Sequence, residues 1–372
     1  MKCLYYCTTP FQLLTALNMQ FNHIIPSEAE NEKADIIVAN IFKNAEDISR
    51  RIKNTKLFNN VYLINEEDHK NHSNGFSKAF AIARNTMFPG RLLKQQFNCK
   101  SIDFLKQKYN VIVSSVFSHT VAALLTLNRN AEYIMMDDGM ASYFGNWTKR
   151  IRSPGYLKFL KLRNLGKEVD SPSSLYVMRR DMCNSELSDT ILQLPEFSSE
   201  FLKVAFSVFG MSDVFPNYNQ KVIWLTHVSN SEKKREGTYE IARALTKYSN
   251  DVVVRKHPRE KLEDAYSNFE CDNGAVMWEL LLSKFPIKKK LIITLGSTGA
   301  FTPKFLYNDE PWLLFTYKLI PLPNGSQLDD FLSIVEQLKK AYTHPEHILE
   351  PETWDEFDSF VKTFISETED IL

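Results

Sequence analysis

The chain has 372 residues, of which 44% are hydrophobic and 24% charged, a composition typical of a globular protein long enough for two domains. Its 45 basic residues balance 45 acidic ones, so net charge gives no reason to expect nucleic-acid binding. The five cysteines are scattered without a C-x-x-C pair, which predicts a cytoplasmic protein and excludes a cysteine zinc site. No run approaches the roughly 18 apolar residues that predict a membrane-spanning helix.

The first half of the chain alternates short apolar strands with helices, which predicts a Rossmann-like layer with a parallel sheet. Its opening strand and helix lack the Gly-x-Gly-x-x-Gly pattern, so a dinucleotide is not indicated. The predicted strands cover residues 3–7, 35–39, 60–64, 110–116, 132–136 and 175–178. The predicted helices cover residues 11–21, 45–52, 78–84, 121–127 and 197–209.

Two adjacent carboxylates, Asp137 and Asp138, follow the strand at 132–136 and precede Gly139. Their mutual repulsion would raise the pKa of one of them and provide a base near neutral pH. Successive side chains of a strand point to opposite faces, so we expect at most one of the pair to face a substrate. A plain Asp-Gly turn that caps a helix is the alternative interpretation.

A basic segment spans residues 149–167, where seven cations and no acid are interleaved with Tyr, Phe and Leu. This mixture suits an anionic membrane surface, here the inner face of the cytoplasmic membrane, or a negatively charged glycan. A solvated helix face explains the same pattern.

The second half repeats the alternation after a polar boundary near residues 210–220. Strands are predicted at 221–226, 252–255, 291–295 and 311–317. Helices are predicted at 238–248, near Glu279, at 329–342 and at 353–365. The predicted domains are residues 1–215 and 216–345, with residues 346–372 forming a C-terminal helix that packs back on them.

The strand at 252–255 ends in a cationic His-Pro turn. Here His257 is surrounded by Arg255, Lys256 and Arg259, and Pro258 stops the strand. A histidine in this position can donate a hydrogen bond to a phosphate or act as an acid near neutral pH. A second His-Pro pair at 344–345, in an ordinary loop, shows that the dipeptide alone means little.

The strand at 291–295 breaks into a Gly-flanked turn that contains Ser297 and Thr298. Hydroxyls and open backbone amides at the start of a helix would form an anion-binding nest for a phosphate. An ordinary helix cap is the alternative. Because ligands bind at the carboxyl ends of parallel strands, we expect His257, Ser297 and Thr298 to converge on one crevice.

The order of three motifs resembles the GT-B sialyltransferases of bacteria, nearest to glycosyltransferase family 52, the lipooligosaccharide sialyltransferases, with the capsule polysialyltransferases as close relatives. The recurring pattern is an acidic pair with Gly, then His-Pro, then a Ser/Thr pair. In this chain the three motifs are Asp137-Asp138-Gly139, His257-Pro258 and Ser297-Thr298. The resemblance implies two Rossmann-like domains whose parallel sheets face each other across a substrate cleft.

The resemblance implies an inverting, metal-independent transfer of sialic acid from CMP-sialic acid to a terminal galactoside of a surface glycan. The acceptor would bind the first domain and the CMP donor the second. His257 would contact or protonate the leaving phosphate, Ser297 and Thr298 with Gly296 would hold it, and Glu279 would bind the nucleoside. The general base would be Asp137 or Asp138, or else Glu232 in the loop after strand 221–226.

Other interpretations keep the fold and change the chemistry. Related scaffolds use UDP-sugars, transfer glycerol phosphate from CDP-glycerol, or epimerise nucleotide sugars. A non-catalytic nucleotide-sugar-binding protein is the last alternative, with the motif residues as plain turn residues. Linkage and oligomeric state, including a homodimer, are not encoded in these patterns.

Overall fold

The chain divides into two compact units, Met1–Gly210 and Met211–Leu372, in the computed structural model. The structure describes residues 1–26, 33–66, 88–97, 104, 106–139, 142–143, 172–183, 190–211, 218–229, 231–320 and 326–367. The predicted helix at 78–84 and the basic segment at 149–167 lie outside these residues. The first unit ends at Gly210, where the sequence predicted residue 215, and residues 346–372 belong to the second unit.

Unit 1 is built on a seven-stranded sheet whose hydrogen-bonded neighbours are all parallel. Its strands are β1 (Cys3–Cys7), β2 (Asp35–Ala39), β3 (Val61–Ile64), β4 (Val111–Ser114), β5 (Glu132–Met136), β6 (Ser174–Val177) and β7 (Ile191–Gln193). They lie side by side in the order β3-β2-β1-β4-β5-β6-β7. The order reverses between β1 and β4, the topological switch point of a Rossmann sheet.

The described helices of unit 1 cover a sheet that is apolar on both faces. Every residue of β1 and β2 is buried, as expected where helices pack on both sides of a parallel sheet. These helices are α1 (Pro10–Phe21), α2 (Ala45–Thr55), α3 (Pro89–Gln96), α4 (His119–Leu127) and α5 (Ser199–Phe209). Helix α1 begins after Thr9, whose hydroxyl accepts the Gln12 backbone N–H at 3.2 Å, with Pro10 in the first turn.

Unit 2 repeats the architecture with six parallel strands. They are β8 (Val222–Leu225), β9 (Val252–Arg255), β10 (Glu270–Asp272), β11 (Leu291–Thr294), β12 (Trp312–Phe315) and β13 (Ile348–Leu349). The spatial order β10-β9-β8-β11-β12-β13 places this second switch point between β8 and β11.

The described helices of unit 2 include α8, which the sequence did not predict, and differ from the prediction most at the start of α6. They are α6 (Glu232–Leu245), α7 (Trp278–Leu281), α8 (Thr302–Tyr307), α9 (Ser326–Ala341) and α10 (Trp354–Glu367). Helix α6 begins at Glu232, whereas the sequence predicted Thr238, because Ser231 caps it by accepting the Lys234 N–H. Helix α10 packs within this unit, where Lys221 Nζ donates to the Ile365 carbonyl at 2.7 Å.

Candidate active site

Asp137 is a fully engaged carboxylate at the end of β5. Its side chain is 1% exposed and accepts the Gly139 N–H at 2.8 Å, the Tyr143 hydroxyl at 2.6 Å and the Met178 N–H at 2.9 Å. Gly139 has φ +69°, so a residue with a side chain would be strained in this tight turn. Asp137 therefore ties the end of β5 to the end of β6.

Asp138 is the more accessible member of the pair. It is half-buried, and its Oδ1 accepts a hydrogen bond from Gln12 Nε2 at 2.7 Å. The backbone N–H of Asp138 donates to Ser142 Oγ at 2.7 Å, which fixes the turn. The two neighbouring side chains thus have different hydrogen-bond partners.

Burial, more than mutual repulsion, sets the acidity of this pair. Loss of hydration raises the pKa of both Asp137 and Asp138 to about 6. Repulsion by Asp138 is the smallest contribution at Asp137, and the hydrogen bond from Gln12 lowers the pKa of Asp138. The sequence predicted one pKa raised by repulsion; both pKa values are raised, and burial is a larger cause than repulsion. Asp138 becomes an ionised, partly accessible carboxylate as pH rises through about 6.

Gln12 is a site residue that the sequence analysis missed. It lies in α1 just after β1, is 1% exposed, and accepts the Thr8 N–H at 2.7 Å and the Thr8 hydroxyl at 3.0 Å through Oε1. These bonds orient its amide so that Nε2 points to Asp138. The carboxyl end of β1 adjoins the switch point, which is the signal that could have singled out this residue.

His257 follows β9 in unit 2 and has a defined hydrogen-bonding pattern. Its Nδ1 accepts the Arg259 N–H at 3.1 Å, and its own N–H donates to Thr226 Oγ1 at 2.8 Å. Since Nδ1 is an acceptor, the neutral ring carries its proton on Nε2. Burial, followed by the charge of Arg259, lowers the pKa of His257, so the neutral ring dominates near pH 7.

The cations around His257 are less available than the sequence suggested. Arg255 is buried in an ion pair with Asp272, and Lys256 is paired with Glu263. Arg259 is exposed, as is Pro258, which begins the turn. Among these cations, Arg259 therefore has the main electrostatic effect on His257.

The turn after β11 lacks the row of open amides that was predicted. Gly296 and Ser297 N–H groups both donate to Thr294 Oγ1, at 3.3 and 2.9 Å, and the Gly299 N–H donates to Ser297 Oγ at 3.3 Å. A 3-10 helix, Thr298–Ala300, follows in place of an α-helix. Thr298 is exposed, so its hydroxyl is the most available polar group of this turn.

Glu279 is a half-buried residue in the first turn of α7, and burial of its carboxyl raises the pKa of that group. The segment before it is fixed by Arg255, whose guanidinium donates to the Val276 carbonyl and lies 5.1 Å from the centre of the Trp278 ring. The Tyr307 hydroxyl donates to the Glu279 carbonyl at 2.7 Å. These contacts hold the start of α7 in place.

Glu232 occupies a different setting from the predicted loop. It is exposed in the first turn of α6, where a carboxylate is favoured by the helix dipole. Like Asp138, which follows β5, Glu232 lies beyond the carboxyl end of a strand, in this case β8.

One group of metal-ligand types occurs among the residues that the structure describes. Ligand atoms of His344, Glu346 and His347 lie within 4.8 Å of one another in the loop before β13. Within the same described ranges, no helix combines the length and the apolar character needed to cross a membrane.

Comparison with known proteins identifies the fold. No protein-family model and no curated protein matches the sequence. Among solved structures, the glycosyltransferase of kitacinnamycin is similar over 98% of this chain and 90% of its own, with 10% identity and a TM-score of 0.55. Spinosyn forosaminyltransferase has 11% identity over 99% and 91% of the chains, with a TM-score of 0.53. Calicheamicin glycosyltransferase has 11% identity over 98% and 89%, with a TM-score of 0.54. The predicted GT-B class, two α/β domains with parallel sheets, is thereby confirmed.

Proposed function

We propose that the protein transfers a sugar from a nucleotide-activated donor to an acceptor hydroxyl. The observation that carries this proposal is the state of His257. Because Nδ1 accepts the Arg259 N–H, the proton of the neutral ring is on Nε2, at the edge of the sheet where ligands of such folds bind. The three solved structures compared above are named as two glycosyltransferases and a forosaminyltransferase, which supports the same reaction class.

In the proposed reaction, unit 2 binds the donor. His257 Nε2–H donates to a phosphate oxygen of the leaving nucleotide and stabilises the charge that develops there. The Thr298 hydroxyl, with Ser297 and Gly296 forming its turn, contacts the same phosphate. Glu279 binds the nucleoside. A hydrogen bond of this kind contributes only if it strengthens as negative charge builds up on the leaving group.

Unit 1 supplies the base. Asp138, with a pKa of about 6, is ionised at neutral pH and has room to accept a proton from an acceptor hydroxyl. Asp137 is unsuited to this role, because its two oxygens already accept three hydrogen bonds. Glu232, exposed at the start of α6, is the second candidate for the base.

The donor can be stated broadly, as a nucleotide sugar, or narrowly, as CMP-sialic acid. The fold supports a nucleotide-sugar donor in general, including UDP- and TDP-linked sugars. The acidic, His-Pro and Ser-Thr motifs support a narrower form, in which CMP-sialic acid donates sialic acid to a galactoside with inversion and without a metal. CDP-glycerol, a donor of glycerol phosphate, is the remaining candidate donor.

The test is release of free nucleotide from a panel of donors, with EDTA present, with and without lactose and other sugar acceptors. The panel contains CMP-sialic acid, UDP-glucose, UDP-N-acetylglucosamine, TDP-glucose and CDP-glycerol. We expect acceptor-stimulated release from one donor and an inverted product anomer. Turnover of CMP-sialic acid alone would support the narrower form. Binding of a nucleotide without turnover of any donor would indicate a non-catalytic binding protein.

A further inference from the structure

His227 lies near the switch point of unit 2 and belongs to none of the three motifs. The switch point lies between β8 and β11, and ligands of doubly wound sheets bind at this point. His227 lies two residues beyond the end of β8, between the strand that leads to His257 and the strand that leads to Ser297. It therefore follows the central strand of the donor side.

The backbone on either side of His227 is fixed. Thr226 accepts the His257 N–H at 2.8 Å, which links the ends of β8 and β9. On the other side, Glu260 accepts both the N–H and the hydroxyl of Ser229, at 2.9 and 2.8 Å. The histidine is thus presented from a short segment held at both ends, which suits a residue that must meet a ligand in one position.

One ring nitrogen of His227 lacks a hydrogen-bond partner. Its Nε2 atom is buried and has no hydrogen-bond partner among the residues that the structure describes. The pKa of His227 is lowered to about 4, chiefly by burial and then by the charge of Lys234, while Glu260 and a hydrogen bond with the Lys234 backbone partly oppose this shift. A buried, unpartnered polar atom costs free energy in the protein alone, and a ligand that pairs with it recovers that cost.

We propose that His227 is a donor-phosphate ligand of unit 2, whose Nε2 hydrogen-bonds a phosphate oxygen of the bound nucleotide at the point where β8 and β11 diverge. This inference rests on the proposed function, since it presupposes a nucleotide in that crevice. A phosphate is the fitting class because its negative charge favours the imidazolium, so the ring can donate from Nε2 once the ligand is present.

The experiment compares nucleotide affinity and stability in His227→Leu and His227→Gln. The Leu side chain removes the buried nitrogen, whereas the Gln amide places a donor close to the position of Nε2. The probes are CMP, UDP and TDP, measured by calorimetry. For the nucleotide that the wild type binds, we expect His227→Leu to weaken binding on the order of tenfold or more and His227→Gln to retain most of it.

Thermal stability distinguishes a nucleotide-binding role of His227 from a purely structural role. With no nucleotide present, His227→Leu should melt at or above the wild-type temperature, because the substitution removes an unsatisfied buried atom. His347→Leu is the matched control, since His347 Nδ1 is also buried without a partner in unit 2. We expect that control to leave nucleotide affinity unchanged.

Two results would overturn the assignment and spare the proposed function. They are wild-type affinity in His227→Leu, and equal losses of affinity in the Leu and Gln variants. If the wild-type protein bound none of the three nucleotides, the proposed function and the role of His227 would both be rejected.

Discussion

Gln12 Nε2 donates a hydrogen bond to Asp138 Oδ1 at 2.7 Å, joining the helix that follows β1 to the turn that follows β5. The amide is itself held by two hydrogen bonds from Thr8. Gln12 therefore fixes the carboxylate that we propose as the base, and it favours the ionised form because a donated hydrogen bond stabilises negative charge.

Replacing Gln12 by Leu should shift the pH dependence of transfer. Asp138 must be ionised to act as a base, so kcat/KM of the wild type is lost as pH falls through about 6. Without the hydrogen bond from Gln12, the pKa of Asp138 rises and the loss begins at a higher pH. Gln96→Leu, another buried glutamine of unit 1, is the control. An unchanged pH profile in Gln12→Leu would contradict the positioning role.

No second loss of kcat/KM should come from His257 above neutral pH. Its lowered pKa means that the ring is already neutral there, and a neutral ring still donates from Nε2. The pH profile should thus rise to a plateau. The measurement is kcat/KM between pH 5 and 9, and a fall above about pH 6.5 that disappears in His257→Gln would show that the imidazolium is required.

The two carboxylates of the acidic motif should separate into a structural and a catalytic residue. Asp137→Ala leaves the Met178 N–H and the Tyr143 hydroxyl without their acceptor, which should lower the free energy of unfolding by roughly 3 kcal/mol or more. Asp138→Asn keeps an acceptor for Gln12 and should change stability little, while reducing kcat about a hundredfold or more.

Urea unfolding and turnover of the same two variants provide the test. If Asp138→Asn transferred at the wild-type rate, the base would have to be sought elsewhere. Glu232→Gln is then the variant to measure.

The ion pair between Arg255 and Asp272 should be a strong support of unit 2. The two side chains are 8% and 5% exposed, and the Tyr218 hydroxyl also donates to Asp272. Asp272→Ala leaves a buried guanidinium unpaired, so we expect a loss of roughly 3 to 5 kcal/mol in urea unfolding. Arg50→Ala, which breaks the exposed pair with Asp47, should have little effect. Equal effects of the two variants would contradict this assignment.

Much of the fold follows from local patterns in the sequence. Strands β2 and β5 begin and end at the predicted residues, since they are apolar runs bounded by polar loops. The strands β7, β10 and β13 were not predicted. They have only two or three residues, and their pairing depends on the sheet beside them more than on their own composition.

The site was less predictable, because its decisive contacts join distant residues. The sequence singled out Asp138 and His257 from strand ends, but it could not show that Gln12 would reach a carboxylate 126 positions away. It could not show that Thr294 would occupy the amides of Gly296 and Ser297. Nor could local sequence indicate that Arg255 would turn away from His257 to Asp272, since charge pairing is decided by packing.

The most direct test of the central claim compares variants of the two His-Pro histidines, His257 and His344. Both are assayed with the donor that the wild type turns over. In His257→Asn, the amide oxygen can still accept the Arg259 N–H, but the donor at Nε2 is lost. His344→Asn makes the same change in the loop before β13, where His344 Nδ1 lies 3.0 Å from Glu346. We predict that nucleotide release falls about a hundredfold or more in His257→Asn and stays at the wild-type rate in His344→Asn. Wild-type release by His257→Asn would contradict the proposal that His257 acts on the leaving phosphate.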